Sequence, residues 1–304
     1  MRTGLSKETL HDRALGAYLG LACGDALGAT VEFLTVNEIK AQFGTHKDIS
    51  GGGWLRLKPG QVTDDTEMSL HLGQAIIGAK GWDLAAIADA FAVWLKSKPV
   101  DVGATCRRGI QRYILQGILE GPPSDSDGGN GAAMRNLPVA LFTLGDAALF
   151  ERYTLQQSHI THHHALADAG TLALGRMTQL LLLGGRVKDC RAIARELVET
   201  HRQFKFDPYP GRASGYIVDT VQTVLHHFFF TDSFESCVVE TVNRGEDADT
   251  TGALAGMLAG ALYGADAIPR RWLERLDYHV VKEIERQVAG LLQMAPIALD
   301  PCGT

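Results

Sequence analysis

Two stretches of this chain carry glycine at every fourth position: Gly16, Gly20, Gly24 and Gly28 near its start, and Gly252, Gly256, Gly260 and Gly264 near its end. Both stretches otherwise read as apolar helices, and a glycine inside a helix costs up to about 1 kcal/mol relative to alanine. Eight such positions persist only where removing side chains gains something. Residues four apart share one helix face, so the gain is close backbone approach. The two stripes are expected to press against other helices deep in the core, with each other as one pairing.

Elsewhere apolar residues recur at helical spacing, as in Leu84, Ile87, Ala88, Phe91, Trp94 and Leu95, and strict two-residue alternation is scarce. The pattern predicts an all-α chain, with helices near 8–28, 64–79, 83–96, 103–117, 131–144, 162–183, 188–203, 214–228, 233–243, 250–263 and 269–293, the last being two. No Pro/Ser-rich linker and no fixed-period repeat divides the 304 residues. One compact multi-helix domain over residues 1–304 is therefore expected.

Composition narrows the function. A net charge of −6 and the lack of a long basic run argue against nucleic acid as a partner. The stretch from Gly252 to Gly264 is shorter than the roughly 20 residues of a membrane span, so direct insertion is not expected. The opening residues lack the apolar core of an export signal. Five scattered cysteines, with no knuckle or redox spacing, fit a reducing cytoplasm.

Carboxylates are concentrated at two helix starts. Thr63-Asp64-Asp65-Thr66-Glu67 precedes one apolar helical pattern, and Gly245-Glu246-Asp247-Ala248-Asp249-Thr250-Thr251 precedes the second glycine-striped one. Helix capping and the positive end of the helix dipole explain one acidic residue at each start. They do not call for two aspartates and a threonine within four residues, where like charges repel. A cation would relieve that repulsion. Neither cluster holds His or Cys, so the ligands are hard oxygens suited to Mg²⁺, Mn²⁺ or Ca²⁺. If folding joins the clusters, Asp65 or Asp249 could bridge two ions roughly 3.5–4 Å apart.

At these residues the sequence resembles the ADP-ribosylglycohydrolase family. The likeness is carried by Thr63-Asp64-Asp65-Thr66 and by the run from Gly245 to Gly252. It extends to Gly20-Leu21-Ala22-Cys23-Gly24-Asp25-Ala26-Leu27-Gly28 with Glu32, to Gly129-Asn130-Gly131-Ala132-Ala133-Met134-Arg135, and to Thr161-His162. The resemblance implies an all-α fold with a two-metal cleft, a Mn²⁺ pair with Mg²⁺ as an alternative, and hydrolysis of the N-glycosidic bond between ADP-ribose and an arginine. It implies Thr63, Asp64, Asp65, Asp247, Asp249 and Thr250 as metal ligands, Asp101 as base or nucleophile, and Glu32 as a carboxylate beside the metals. Where the family commonly has Asn, this chain has Ala104. The implied partners are an ADP-ribosylated protein, dinitrogenase reductase being the one expected, and a PII-type signalling protein, with peripheral recruitment to a membrane through that partner.

Three further groups are candidate substrate contacts. Gly128-Gly129-Asn130-Gly131, with Met134 beyond it, precedes an apolar pattern, and free N–H groups at such a helix start suit a diphosphate. His162-His163-His164 cannot all face one ion from a helix, because neighbours point about 100° apart. His162 is expected to reach the substrate, the alternative being a solvated helix start. Tyr216 could offer a ring and hydroxyl to the ribose or base, or lie in the core. A non-catalytic ADP-ribose binder and a phosphoesterase acting on the diphosphate are the rival functions.

Overall fold

A computed structural model describes residues 6–297, and among them it is all-helical, with no strand and only two isolated bridges. Fourteen α-helices follow one another: α1 (Lys7–Gly28), α2 (Val36–Phe43), α3 (Asp64–Ala79), α4 (Leu84–Lys96), α5 (Ala104–Gln116), α6 (Leu137–Phe142) and α7 (Ala147–His159), then α8 (Ala165–Leu182), α9 (Val187–Thr200), α10 (Ile217–Phe230), α11 (Phe234–Val242), α12 (Ala248–Tyr263), α13 (Arg270–Leu273) and α14 (Tyr278–Met294). None of these helices is long and apolar enough to cross a membrane.

The centre of the molecule is the pair α1 and α12. Both are buried on nearly every face, as expected of helices apolar all round. Their glycine stripes meet each other. A Cβ placed on Gly16 would lie 2.5 Å from the Gly260 carbonyl oxygen, and Cβ atoms on Gly20, Gly24 and Gly28 would collide with the backbone of Gly256, Gly252 and Ala248. The pairing is therefore antiparallel, and the glycine Cα hydrogens point at carbonyl oxygens across the seam, contacts worth about 0.5–1 kcal/mol each. Gly264 differs from the other seven: it ends α12 at φ 83°, in the left-handed region. Helices α3, α8 and α14 pack against α1, while α8, α10 and α11 pack against α12. Tyr18 on α1 donates to Gln287 Oε1 on α14 at 3.0 Å, and Gln287 Nε2 donates to Leu70 O on α3 at 2.8 Å.

Most expected helices are present, and the stretch 269–293 does divide into two, α13 and α14. Two helices went unforeseen. α2 is short and buries only Ile39, so it has no apolar periodicity to detect; its signal is the Thr35/Glu38 capping box. α7 buries Phe150, Thr154, Gln157 and Ser158, a mostly polar stripe that apolar counting overlooks. The expected helix 131–144 shrinks to α6, because residues 131–135 form turns, with Asn130 O accepting from Ala133 N–H at 2.8 Å. The expected start at 162 moves to Ala165.

Gly256→Ala tests the seam. Extra helix propensity would favour the variant by up to about 1 kcal/mol, whereas overpacking a tight interface costs about 1–3 kcal/mol. The expected outcome is a lower melting temperature, together with weaker divalent-cation binding by calorimetry, since α12 begins at the acidic cluster. A variant that melts higher and binds cations equally well would contradict both.

Candidate active site

Because α1 and α12 are antiparallel, the C-terminal end of α1 lies beside the N-terminal end of α12. The two acidic clusters meet at that end of the seam. Asp25, one turn before the end of α1, is fully buried and accepts from Thr63 N–H at 3.1 Å, from Thr66 N–H at 3.2 Å, and from both threonine hydroxyls. It thus caps α3 from another helix. Thr63, the N-cap residue of α3, makes no capping bond with its own side chain, and neither does Asp247 at the start of α12. Capping therefore does not account for the aspartates of either cluster, which are left for another task.

Asp65 joins the clusters: its Oδ2 accepts at 3.3 Å from Thr63 Oγ1 on one side and from Thr250 Oγ1 on the other. Its Oδ1 is buried and has no partner. Asp64 Oδ2 accepts from Gly103 N–H at 3.1 Å, Asp247 Oδ2 accepts from Asn130 Nδ2, and Asp249 Oδ1 accepts from Thr250 N–H at 2.9 Å. Carboxylate oxygens of Glu32, Asp247 and Asp249 lie within 4.8 Å of one another. Glu32, Asp64, Asp101, Asp247, Asp249 and Thr250 all line one cavity of about 400 Å³.

Burial is the main cause of the electrostatics here, and mutual repulsion comes next. Burial raises Asp64 and Glu32 to about 8, with Asp101 and Asp247 adding repulsion to both. Asp65 and Asp249 are pushed well above the carboxylate range by burial, then by neighbouring carboxylates. Asp25 and Asp247 rise only to about 6, because hydrogen bonds from Thr66 and Thr63, and from Asn130 and Thr250, offset their burial. Burial also raises Asp101, against a hydrogen bond from Val102 N–H. An all-oxygen set with an orphaned buried carboxylate oxygen fits a hard divalent cation.

One cation lies beneath the acids. Arg135 is the only buried Arg or Lys among the described residues, and no carboxylate pairs with it. Its guanidinium stacks 4.7 Å from the Phe91 ring centre and donates to Gln157 Oε1 at 2.8 Å, Gln157 O at 2.9 Å and Thr161 Oγ1 at 2.7 Å. Because Thr161 Oγ1 accepts from Arg135, its own proton is available to His162 Nδ1, 2.7 Å away. With Thr161 as the donor, the imidazole proton stands on Nε2. Burial and then Arg135 hold His162 far below its ordinary value, so it is neutral. Its Nε2 edge abuts Gly129 and Gly131, where a Cβ would come within 3.2 and 3.1 Å.

The remaining candidates divide. His162, Gly129, Asn130, Gly131 and Met134 line the cavity. Asn130 Nδ2 is already engaged by Asp247 and by Thr220 Oγ1, so its amide braces an acid. His162 is buried rather than solvated; His163 Nδ1 donates to Gly121 O, and His164 caps α8. Tyr216 is 42% exposed, outside the core, and its ring lies against Gly128. The glycine run does not open a helix. A helix does start at the cavity in α5, where the N-cap residue Gly103 supplies no side chain and Ala104, Thr105 and Cys106 follow. Sequence reasoning assigned no part to Asp25, Arg135, Phe33 or Trp54; the last two also line the cavity.

This fold and this acidic cavity define a family. Residues 6–298 match the ADP-ribosylglycohydrolase model, and the chain belongs to that family. It is 60% identical over 291 residues to the ADP-ribosyl-[dinitrogen reductase] glycohydrolase of Rhodospirillum rubrum, covering 96% of this chain and 99% of the relative. It is 31% identical to the ADP-ribosylarginine hydrolase Tri1 of Pseudomonas putida, covering 96% and 81%. A solved structure described as an ADP-ribosylglycohydrolase-related protein complex superposes with a TM-score of 0.84 at 33% identity, over 95% of this chain and 99% of that one.

The acids make stability depend on pH in a definite direction. Their folded-state values, about 6 for Asp25 and Asp247 and about 8 for Glu32 and Asp64, lie above the ordinary 3.8 to 4.5. The folded chain therefore holds more protons than the unfolded one, and metal-free stability falls as pH rises from about 4 to about 8. Thermal melts should show that fall, and Mn²⁺ should raise the melting temperature more at pH 8 than at pH 5. Asp65→Asn should weaken both responses without unfolding the chain.

Proposed function

We propose that this protein is a metal-dependent hydrolase that removes ADP-ribose from an arginine side chain, with ADP-ribosylated dinitrogenase reductase as its substrate. The observation that carries the reading is the convergence of two acidic helix starts on one cavity, in a chain 60% identical to a glycohydrolase named for that substrate. Residues 1–304 act as one domain in the cytoplasm. Regulation by a PII-type protein, with peripheral recruitment to a membrane, belongs to the same reading and rests on resemblance alone.

Thr63, Asp64, Asp65, Asp247, Asp249 and Thr250 would hold a Mn²⁺ pair, and Glu32, close to Asp247 and Asp249, joins them as a ligand or a neighbour. When bound, the ions supply Lewis-acid charge that fixes the ribose hydroxyls. The protein's own groups do the rest. His162, with its proton on Nε2, donates to the ADP-ribose held against Gly129–Gly131, while the open start of α5 faces the diphosphate. Tyr216 flanks that half beside Gly128. Asp101 Oδ1 accepts from its own loop at Val102 N–H, 2.7 Å, which leaves Oδ2 without a partner among the described residues. There it receives the proton of the water that adds to the anomeric carbon. The carbon–nitrogen bond breaks, the proton held by Asp101 passes to the departing guanidine, and free ADP-ribose and arginine result. Charge developing on the ribose ring is stabilised by the surrounding carboxylates.

Incubation with Mn²⁺ and ADP-ribosyl-arginine separates the readings. Free ADP-ribose is expected; AMP would mean a phosphoesterase, and no product a binding protein. Mass spectrometry of modified dinitrogenase reductase before and after treatment tests the substrate. Chelation should stop turnover and Mn²⁺ should restore it better than Zn²⁺, given hard oxygen ligands. Asp101→Asn should lower kcat by roughly 10²-fold or more, the usual worth of a general base, while ADP-ribose affinity changes little.

A further inference from the structure

Two aromatic rings stand at the acidic part of the cavity, and nothing above uses them. Phe33 is 63% exposed and Trp54 52%, with ring centres 5.3 Å apart and planes inclined at 51°. Phe33 is held there at a conformational cost. Phe33 has φ 62°, a left-handed conformation that a bulky side chain rarely adopts. Its N–H donates to Glu246 O at 2.7 Å, and Glu246 N–H donates back to Leu34 O at 2.9 Å. Trp54 follows Gly51, Gly52 and Gly53, all at positive φ, in a loop closed by paired hydrogen bonds between Gly52 and Leu57 of 2.8 and 2.9 Å. Strained left-handed positions such as Phe33 cluster at active sites and ligand clamps.

The chemistry around the rings selects the ligand. Trp54 Nε1 donates to Glu32 Oε2 at 2.6 Å, and Phe33 adjoins Glu32 in the chain. Glu32, Asp64, Asp101, Asp247 and Asp249 line the cavity, and no Lys or Arg does. A planar cation is attracted to the two ring faces, and Asp101, which lies outside the metal-holding set, lines the same cavity. We propose that Phe33 and Trp54 form the acceptor subsite, stacking the guanidinium of the modified arginine and setting the preference for a cationic nitrogen-linked acceptor over a neutral oxygen-linked one. This rests on the hydrolase reading above and adds to it the residues that recognise the acceptor.

The test uses Phe33→Gly in the Mn²⁺-loaded full chain, because glycine at φ 62° relieves strain and a purely structural role would predict only gain or loss of stability. Expected are an unchanged or higher melting temperature, a KM for ADP-ribosyl-arginine raised roughly ten-fold (about 1.4 kcal/mol), and an ADP-ribose Kd within two-fold of the unsubstituted protein. Activity on ADP-ribosyl-serine should not fall, so the preference for arginine shrinks by the same factor. Phe33→Tyr should restore KM, and Trp54→Phe, which keeps a ring but loses the bond to Glu32, should lower kcat more than it raises KM. An unchanged KM in Phe33→Gly, or an equal loss of ADP-ribose affinity, overturns the subsite. Failure of the unsubstituted protein to cleave ADP-ribosyl-arginine would instead overturn the hydrolase reading itself, and the subsite with it.

Discussion

The glycine seam between α1 and α12 is the contact on which the rest of the molecule depends. With no side chains between them, the two backbones approach closely enough that a methyl group at Gly20, Gly24 or Gly256 would strike a carbonyl oxygen of the other helix. That closeness fixes the sliding register of the pair, since shifting one helix by a single residue would bring Ala or Leu side chains into the seam. Register in turn fixes chemistry. Asp25 and Glu32 come from the end of α1, Asp247 and Asp249 from the start of α12, and their separation is set by residues that are themselves chemically inert. Helix α3 is tied to the same point, because its first turn is capped by Asp25 rather than by its own residues.

A fold organised in this way carries an electrostatic debt at its centre. Asp65 and Asp249 are nearly inaccessible, and burial with mutual repulsion strongly disfavours their charged forms. Arg135 is close enough to register the charge of Asp64, yet it forms no ion pair; its donors are taken by Gln157 and Thr161. Orientation of His162 is what those bonds achieve, at the expense of direct neutralisation. The acids are thus left for a cation that the protein does not itself provide.

How much of this could be read from the residues depended on the range of the interaction. The stripes, the helices with apolar faces and the two acidic runs are local patterns, and each appeared where expected. Whether Asp64 caps its own helix could not be decided locally, because the capping is done by Asp25, about 40 positions earlier. The helix start expected after Gly128–Gly131 is absent for a similar reason: Asn130 N–H bonds to Gly215 O, Gly128 O accepts from Ile217 N–H, and the run pairs with the residues that lead into α10 rather than opening α6. Polar burial hid α7. Phe33 and Trp54 gave no signal at all, since an exposed aromatic looks the same in sequence as a buried one.

Phe33 and Glu246 show how strain links the two halves of the site. Both residues are left-handed, at φ 62° and 53°; Phe33 N–H donates to Glu246 O and Glu246 N–H donates to Leu34 O, which ties the α1 exit to the second acidic run. Strained positions of this kind cost of order 1–3 kcal/mol each and survive only when their surroundings over-determine them. Here the surroundings are the seam below and the Gly245 turn beside it, where a Cβ would strike Leu34 O. The same hydrogen-bonded pair therefore does two things: it aims the Phe33 ring into the cavity, and it places Asp247 one residue beyond Glu246 at the head of α12. Acceptor recognition and acid placement thus meet at one backbone junction, whose hydrogen bonds are all main-chain, so a side-chain change at Phe33 that keeps them leaves Asp247 in place.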